Sequence, residues 1–144
     1  MFFGEHEHTI DDKSRVTLPA RFRDALGDGV VLARGLDANV DVYPRAAWQN
    51  GVEARLAELD SLSRESRELR RFFFAGAVDA ELDKQGRVLV PPVLVKHATL
   101  GKEVVVAGVY DHIEIWDRAA WVEHLRGVEG SAGDVAERLA EKRS

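Results

Sequence analysis

The chain has 144 residues, 45% of them hydrophobic and 31% charged, with no cysteine and a formal net charge of −5. This length buries one compact core or two very small ones, and the missing thiols exclude disulfides and thiolate metal sites and suit a reducing, cytoplasmic setting. The acidic balance counts against a nucleic-acid partner unless positive charge is concentrated locally.

The opening MFFGEHEH turns acidic and His-rich at once, unlike a signal peptide, and no apolar run approaches the roughly 20 residues of a membrane span. His6 and His8, two apart, would share a face of a strand. A metal site needs more ligands than these two, so surface or packing roles are expected. Next comes IDDKSRVTLP, from Ile10 to Pro19. Asp opens turns by accepting from backbone amides, and Val16 and Leu18 alternate at the period of a half-buried strand. Pro19 ends that strand and starts a short helix, ARFRDALG, closed by Gly27. VVLAR and VDVY read as further strands, and Pro44 opens a helix carrying Arg45-Ala46-Ala47-Trp48.

The stretch from Trp48 to Gly76 reads as helical, with Val52, Leu56, Leu59 and Leu62 in one stripe and Leu69, Phe72 and Phe73 in another. Asp60, Ser61 and Ser63 mark a break between two helices, with Leu62 either in the stripe or in the hinge. Phe72, Phe73 and Phe74 follow Arg70 and Arg71, and at helical spacing they read as core rather than as a base-stacking platform, with one of the three left to point elsewhere.

From here the chain repeats itself. LDKQGRVLVP, from Leu82 to Pro91, matches IDDKSRVTLP at four of ten positions, 72 residues on: Asp11 with Asp83, Arg15 with Arg87, Val16 with Val88, and Pro19 with Pro91. Gly86 supplies the positive φ of a tight turn; Ser14 stands in its place in the first copy, where a slightly different turn is expected. PVLVKHATLG is the second short helix, closed by Gly101, and VVVAG and IEIW answer VVLAR and VDVY. Asp117 stands where Pro44 stood, and Arg118-Ala119-Ala120-Trp121 repeats RAAW. Trp48 and Trp121 are read as core. Beyond Arg126, GVEGSAG is Gly-rich and expected to be loose, with DVAERLAEK a short helix or mobile tail.

Lone two-stranded hairpins are marginal, so the economical fold interlocks both copies into one β body. The expectation is an α+β chain with internal pseudo-twofold symmetry: residues 5–48 as a first unit, 49–76 a helical connector, 77–121 a second unit, and 122–144 a helix end and flexible tail.

FFGEHEHTID, the paired D-x-x-x-R motifs (Asp11 with Arg15, Asp83 with Arg87), LDKQGRVLVP, RRFFFAGA and the IEIW ending at Trp116 together resemble the MraZ family, within the SpoVT–AbrB swapped-hairpin superfamily. The resemblance runs from Met1 to about Leu125 and leaves out the tail beyond about Gly127. It implies two tandem SpoVT–AbrB-like units in a swapped-hairpin body. It also implies a cytoplasmic, nucleoid-associated transcription factor, usually a repressor, acting on the promoter of the division and cell-wall gene cluster. Its DNA partner would carry short G-rich direct repeats, bound by a homo-oligomeric ring. The family's DNA-contacting motif falls on Asp11 and Arg15, and in the second copy on Asp83 and Arg87.

The residues themselves add a charge argument. Lys13, Arg15, Arg21 and Arg23 place +4 within eleven residues that contain no acid. Such groups neutralise phosphates, and an Arg fork matches the two acceptors of guanine. Arg15 is the first candidate for base or phosphate contact, with Lys13, Arg21 and Arg23 for phosphate and Asp11 orienting Arg15. Copy two has Val93, Leu94 and Val95 where copy one has Arg21, Phe22 and Arg23, which suggests divided labour: the first copy on DNA, the second packed inside or on a neighbour. Read without the family, DxxxR is equally a capped turn with a surface ion pair worth under about 1 kcal/mol. No catalytic constellation, phosphate-binding loop, metal site or cofactor is expected, nor a small-molecule substrate. An antitoxin-like partner-binding protein and a ring-forming scaffold without a DNA role are the rival readings.

Overall fold

The computed structural model describes residues 1–27 and 29–143; Asp28 of the first unit and Ser144 at the end of the tail lie outside them. In chain order the strands are β1 (Phe2–Thr9), β2 (Arg15–Thr17), β3 (Val30–Arg34), β4 (Val40–Pro44), β5 (Val78–Ala80), β6 (Arg87–Leu89), β7 (Glu103–Tyr110) and β8 (Ile113–Asp117). The helices are α1 (Ala20–Leu26), α2 (residues 45–57, with a π-helical stretch at Trp48–Glu53), α3 (Arg64–Gly76), α4 (Pro92–Ala98) and α5 (Arg118–Arg143). None of these helices is long and apolar enough to cross a membrane.

The six-stranded sheet runs β1-β7-β8-β4-β3-β5, and β2 pairs with β6 in a separate two-stranded ribbon. Exchanging the two copies turns β1 into β5, β3 into β7 and β4 into β8, and the sheet order then reads the same backwards. The first strand of each copy pairs with the other copy or closes its far edge: β1 lies on β7, from Phe2↔Tyr110 to Thr9↔Glu103, and β5 lies on β3. In the ribbon Val16 pairs with its own counterpart Val88, flanked by Arg15↔Leu89 and Thr17↔Arg87. In the sheet Asp41 pairs with its counterpart Glu114. The pseudo-twofold axis therefore passes through Val16/Val88 at one end of the body and Asp41/Glu114 at the other. This is the interlocked α+β body expected from the repeat.

Alternation at period two decides the core. Val30, Leu32, Val40, Val42, Val104, Val106, Ile113 and Ile115 point from the sheet toward Val16, Leu18, Val88 and Val90 of the ribbon and its following residues, and all twelve are fully buried. Phe22 and Leu26 of α1 and Leu94 and Ala98 of α4 close the sides of this layer. Each such aliphatic contributes about 1.5–3 kcal/mol of burial. On the sheet's other face Val31, Ala33, Tyr43 and Trp48 form a second cluster under α2 and α3.

Several local expectations are corrected. Ser14 takes φ 61 and Gly86 φ 76, so the two turns share one shape; the short polar side chain of Ser14 tolerates the left-handed region because the turn's own hydrogen bonds hold it there. Thr99 in the left-handed conformation, not Gly101, ends α4. Leu62 is 87% exposed and sits in the break before α3, outside the stripe. Trp48 is buried, but Trp121 is only half-buried and its indole N–H has no partner among the described residues. Of the three phenylalanines, Phe74 is the most exposed, at 36%.

The largest correction concerns the tail. GVEGSAG is not loose: α5 runs unbroken from Arg118 through Arg143. Extending an existing helix costs far less than nucleating one, and the Ala, Glu, Leu, Arg and Lys residues around the three glycines are strong helix formers.

Candidate nucleic-acid interface

Both DxxxR segments build one turn. Asp11 Oδ1 accepts from the Lys13 and Arg15 amides at 2.9 and 2.8 Å, and Oδ2 accepts from Arg15 Nε at 2.7 Å. Asp83 does the same with Gln85 and Arg87, at 2.9, 2.9 and 2.7 Å. The spacing explains itself: a carboxylate that caps a tight turn reaches the amides two and four residues on, and the Arg at the fourth place brings its Nε to the free oxygen. The Arg15 backbone amide, then its side chain, hold the Asp11 carboxyl below the usual range, and Arg87 does likewise for Asp83. Because only Nε is used, the two terminal nitrogens of each guanidinium have no partner among the described residues.

The turns face each other across the axis. Leu18 N donates to Gly86 O at 3.0 Å and Val90 N to Ser14 O at 2.8 Å, which stitches each turn to the other copy's strand. With Val16 and Val88 pointing into the core, Arg15, Thr17, Arg87 and Leu89 all lie on the ribbon's outward face. Arg15 and Arg87 are diagonal neighbours there, about 7–8 Å apart by ordinary cross-strand spacing, and their side chains are 30% and 26% exposed.

The other candidates are placed less uniformly. Lys13 is exposed at the tip of the first turn. Arg21 is exposed on α1, its guanidinium 4.9 Å over the Phe3 ring. Arg23 is half-buried, donates through Nε to Leu18 O at 2.9 Å, and lies across Gly86, where any Cβ would collide with it. It therefore ties α1 to the second turn before it offers charge to a ligand. The division of labour between copies is not visible at the ribbon, where both arginines share one face. Residues 83–87 also hold one acid and two bases against two and two in residues 11–15, so the second turn is the more positive.

A family model described as "MraZ protein, putative antitoxin-like" matches residues 1–72 and again 73–142. The chain belongs to the MraZ family. The second match takes in the tail beyond Gly127, so the likeness extends past Leu125. Proteins named "Transcriptional regulator MraZ" align over nearly full length. The one from Roseiflexus castenholzii is 46% identical over 99% of each chain. That from Moorella thermoacetica is 47% identical over 99% of this chain and 96% of its own, and that from Thermoanaerobacter pseudethanolicus 45% identical over 98% of each.

The opposite pole of this MraZ chain carries a polar cluster that sequence reasoning missed. Asp41 and Glu114 face one another, and His112 reaches between them, with Nε2 3.1 Å from Glu114 Oε2 and 3.6 Å from Asp41 Oδ1 and Nδ1 2.7 Å from Asp111 Oδ1. Asn39 Nδ2 donates to Asp41 at 2.7 Å, Trp116 Nε1 donates to Glu114 at 2.9 Å, and the Tyr43 ring stacks 4.5 Å from His112. Burial disfavours a charge on His112, but its hydrogen bonds to Glu114 and Asp111 and the nearby Asp41 overcome this and raise its pKa to about 9. Burial raises Asp41 to about 6. The three donor groups lie within 4.8 Å, a spacing that could also hold a cation; the imidazolium already supplies that charge. The signal available in the sequence was the lone acid between apolar neighbours in both VDVY and IEIW.

His6 and His8 take no part in that cluster. His6 packs edge-on to Phe22, and burial lowers His8 below the ordinary histidine range.

Proposed function

We propose that this protein is a sequence-specific DNA-binding transcriptional regulator that reads the major groove with its β2·β6 ribbon. The observation that carries this reading is the outward pair Arg15 and Arg87, each held through Nε by its own Asp with both terminal nitrogens left over. A two-stranded ribbon fits the major groove, and a guanidinium fork there matches guanine O6 and N7. Tethering by Asp11 and Asp83 removes rotamer freedom in advance, so less ordering entropy is lost on binding. Lys13 and Arg21 flank the ribbon as phosphate contacts, and Arg23 adds charge at its base.

The net charge of −5 makes one such site weak. A homo-oligomeric ring presenting several ribbons to short G-rich direct repeats gains affinity through effective concentration. Repression at the promoter of the division and cell-wall gene cluster, in the nucleoid, is the setting this reading gives it, and the names of its relatives support regulation of transcription.

The test is a gel-shift titration on G-rich repeats against scrambled competitor. Arg15→Ala should lower affinity about 10-fold to 100-fold, the worth of one guanine contact, with the circular dichroism spectrum unchanged. Loss of about one unit of salt slope would identify a phosphate contact instead. Equal binding of repeat and scrambled DNA would leave the scaffold reading in its place.

A further inference from the structure

On the ribbon's outward face the axis exchanges Arg15 with Arg87, which are chemically identical, and Thr17 with Leu89, which are not. Leu89 is 57% exposed and belongs to neither hydrophobic cluster. It is an apolar side chain directly across the ribbon from Arg15, left uncovered by the described residues.

Symmetry makes this difference consequential. A ribbon with two equal halves would bind a site equally well either way round, whereas direct repeats require every protomer to face the same way. The flanking helices differ too, Arg21 and Arg23 against Val93 and Val95. Phosphate contacts, however, fix position without reading bases. Among the paired strand positions of the ribbon, base-level polarity therefore falls to Thr17 and Leu89.

We propose that Leu89 sets the orientation of the ribbon on DNA by covering the C5-methyl group of a thymine next to the guanine contacted by Arg15. The thymine methyl is the apolar group that a base pair shows in the major groove, and Leu89 is the matching apolar group on the face that meets it. Thr17, at the symmetric place, offers a hydroxyl and a smaller methyl and covers a thymine methyl less completely. This inference rests on the DNA-binding reading and adds to it one residue and one base.

The experiment uses the full chain and a duplex it selects from a random library. Each thymine of that duplex is replaced in turn by deoxyuridine, which lacks only the methyl group, while guanine contacts are mapped by N7-methylation interference. One thymine beside an interfering guanine should cost about fourfold in affinity when demethylated, the worth of one buried methyl-sized group. Leu89→Thr, which keeps only one methyl at the γ position, should shrink that penalty and keep the guanine interference. If no uracil weakens wild-type binding, or if Leu89→Thr leaves the penalty in place, the inference fails while DNA binding stands. If no duplex is selected at all, the DNA-binding reading fails and takes the inference with it. A wild-type scan with no sensitive thymine sinks the proposal by itself, and Leu89→Ala, a second variant, assigns a sensitive thymine to Leu89 should Leu89→Thr misfold.

Discussion

The two ends of the pseudo-twofold axis solve one problem in opposite ways. An axis sets each residue on it against its own counterpart. At the ribbon that pair is Val16 and Val88, both fully buried, and like meets like at no cost. At the sheet it is Asp41 and Glu114, two carboxylates directly across a strand pair, an arrangement that repels. Symmetry is kept where the axial pair is apolar. It is broken where the pair is charged: copy two supplies His112, and copy one has Asn39 in its place. A duplicated chain can thus keep two equal turns on one surface while a single histidine from one copy holds the far end closed.

The severest perturbation is a charge at the apolar end. Val88→Asp buries a carboxylate against Val16 in an aliphatic cluster and should cost more than about 4 kcal/mol, enough to abolish the cooperative thermal transition. A variant that still melted cooperatively would show that the ribbon opens to water. Removing the cation at the other end should cost less. His112→Ala leaves Asp41 and Glu114 facing each other, partly buried, and should destabilise by about 3 kcal/mol, read from the urea midpoint. Pairing it with Asp41→Asn should restore part of the loss, since the repulsion then disappears.

The same end gives the fold a pH dependence of known sign. The folded chain keeps the His112 proton up to about pH 9, whereas the unfolded chain releases it near 6.5. That stabilisation is complete below 6.5 and is lost as pH rises through 9. Asp41 acts in the same direction lower down: unfolded it ionises near 3.8, folded near 6, so stability falls across that interval as well. Urea midpoints should therefore decline from pH 6 to pH 9.5, and His112→Gln should flatten the slope above pH 6.5. Asp11 and Asp83 act oppositely, since their depressed carboxyls lose their contribution only as pH drops below 3.8.

How much of this was legible in the sequence follows the same division. The offset between Asp11-to-Pro19 and Asp83-to-Pro91 identifies both turns and the residues that build them. Which strand pairs with which was not legible, because β1 could equally have paired within its own copy; that choice depends on long-range packing that periodicity does not encode. The Asp41–His112–Glu114 cluster was hidden for that reason, as Asp41 meets His112 and Glu114 only through the β4·β8 pairing. Ser14 and Thr99 were missed differently. Both adopt left-handed conformations ordinarily left to glycine, held by hydrogen bonds that the residue types alone do not announce.

The smallest effect is expected where local and tertiary forces separate most clearly, along α5. Its first turns touch the sheet: Arg118 lies 3.3 Å from Glu103, Trp121 packs against Trp116, and Leu125 is half-buried. From Arg126 to Arg143 every residue is exposed, and Gly127, Gly130 and Gly133 each weaken a helix by about 1 kcal/mol relative to Ala. Among the described residues the side-chain pairs of that half are short-range, Arg126 with Glu123 and Ser131 with Gly127. Ending the chain at Arg126 should remove helical signal from the circular dichroism spectrum yet change the unfolding free energy from urea titration by less than about 0.5 kcal/mol, the usual scale for surface changes. Amide hydrogens beyond Gly127 should exchange well before those of Trp121 to Leu125. If truncation instead weakened the fold by several times that amount, the distal half would have to be held by another molecule, and its exposed Val128, Val135 and Leu139 would be the side chains in contact.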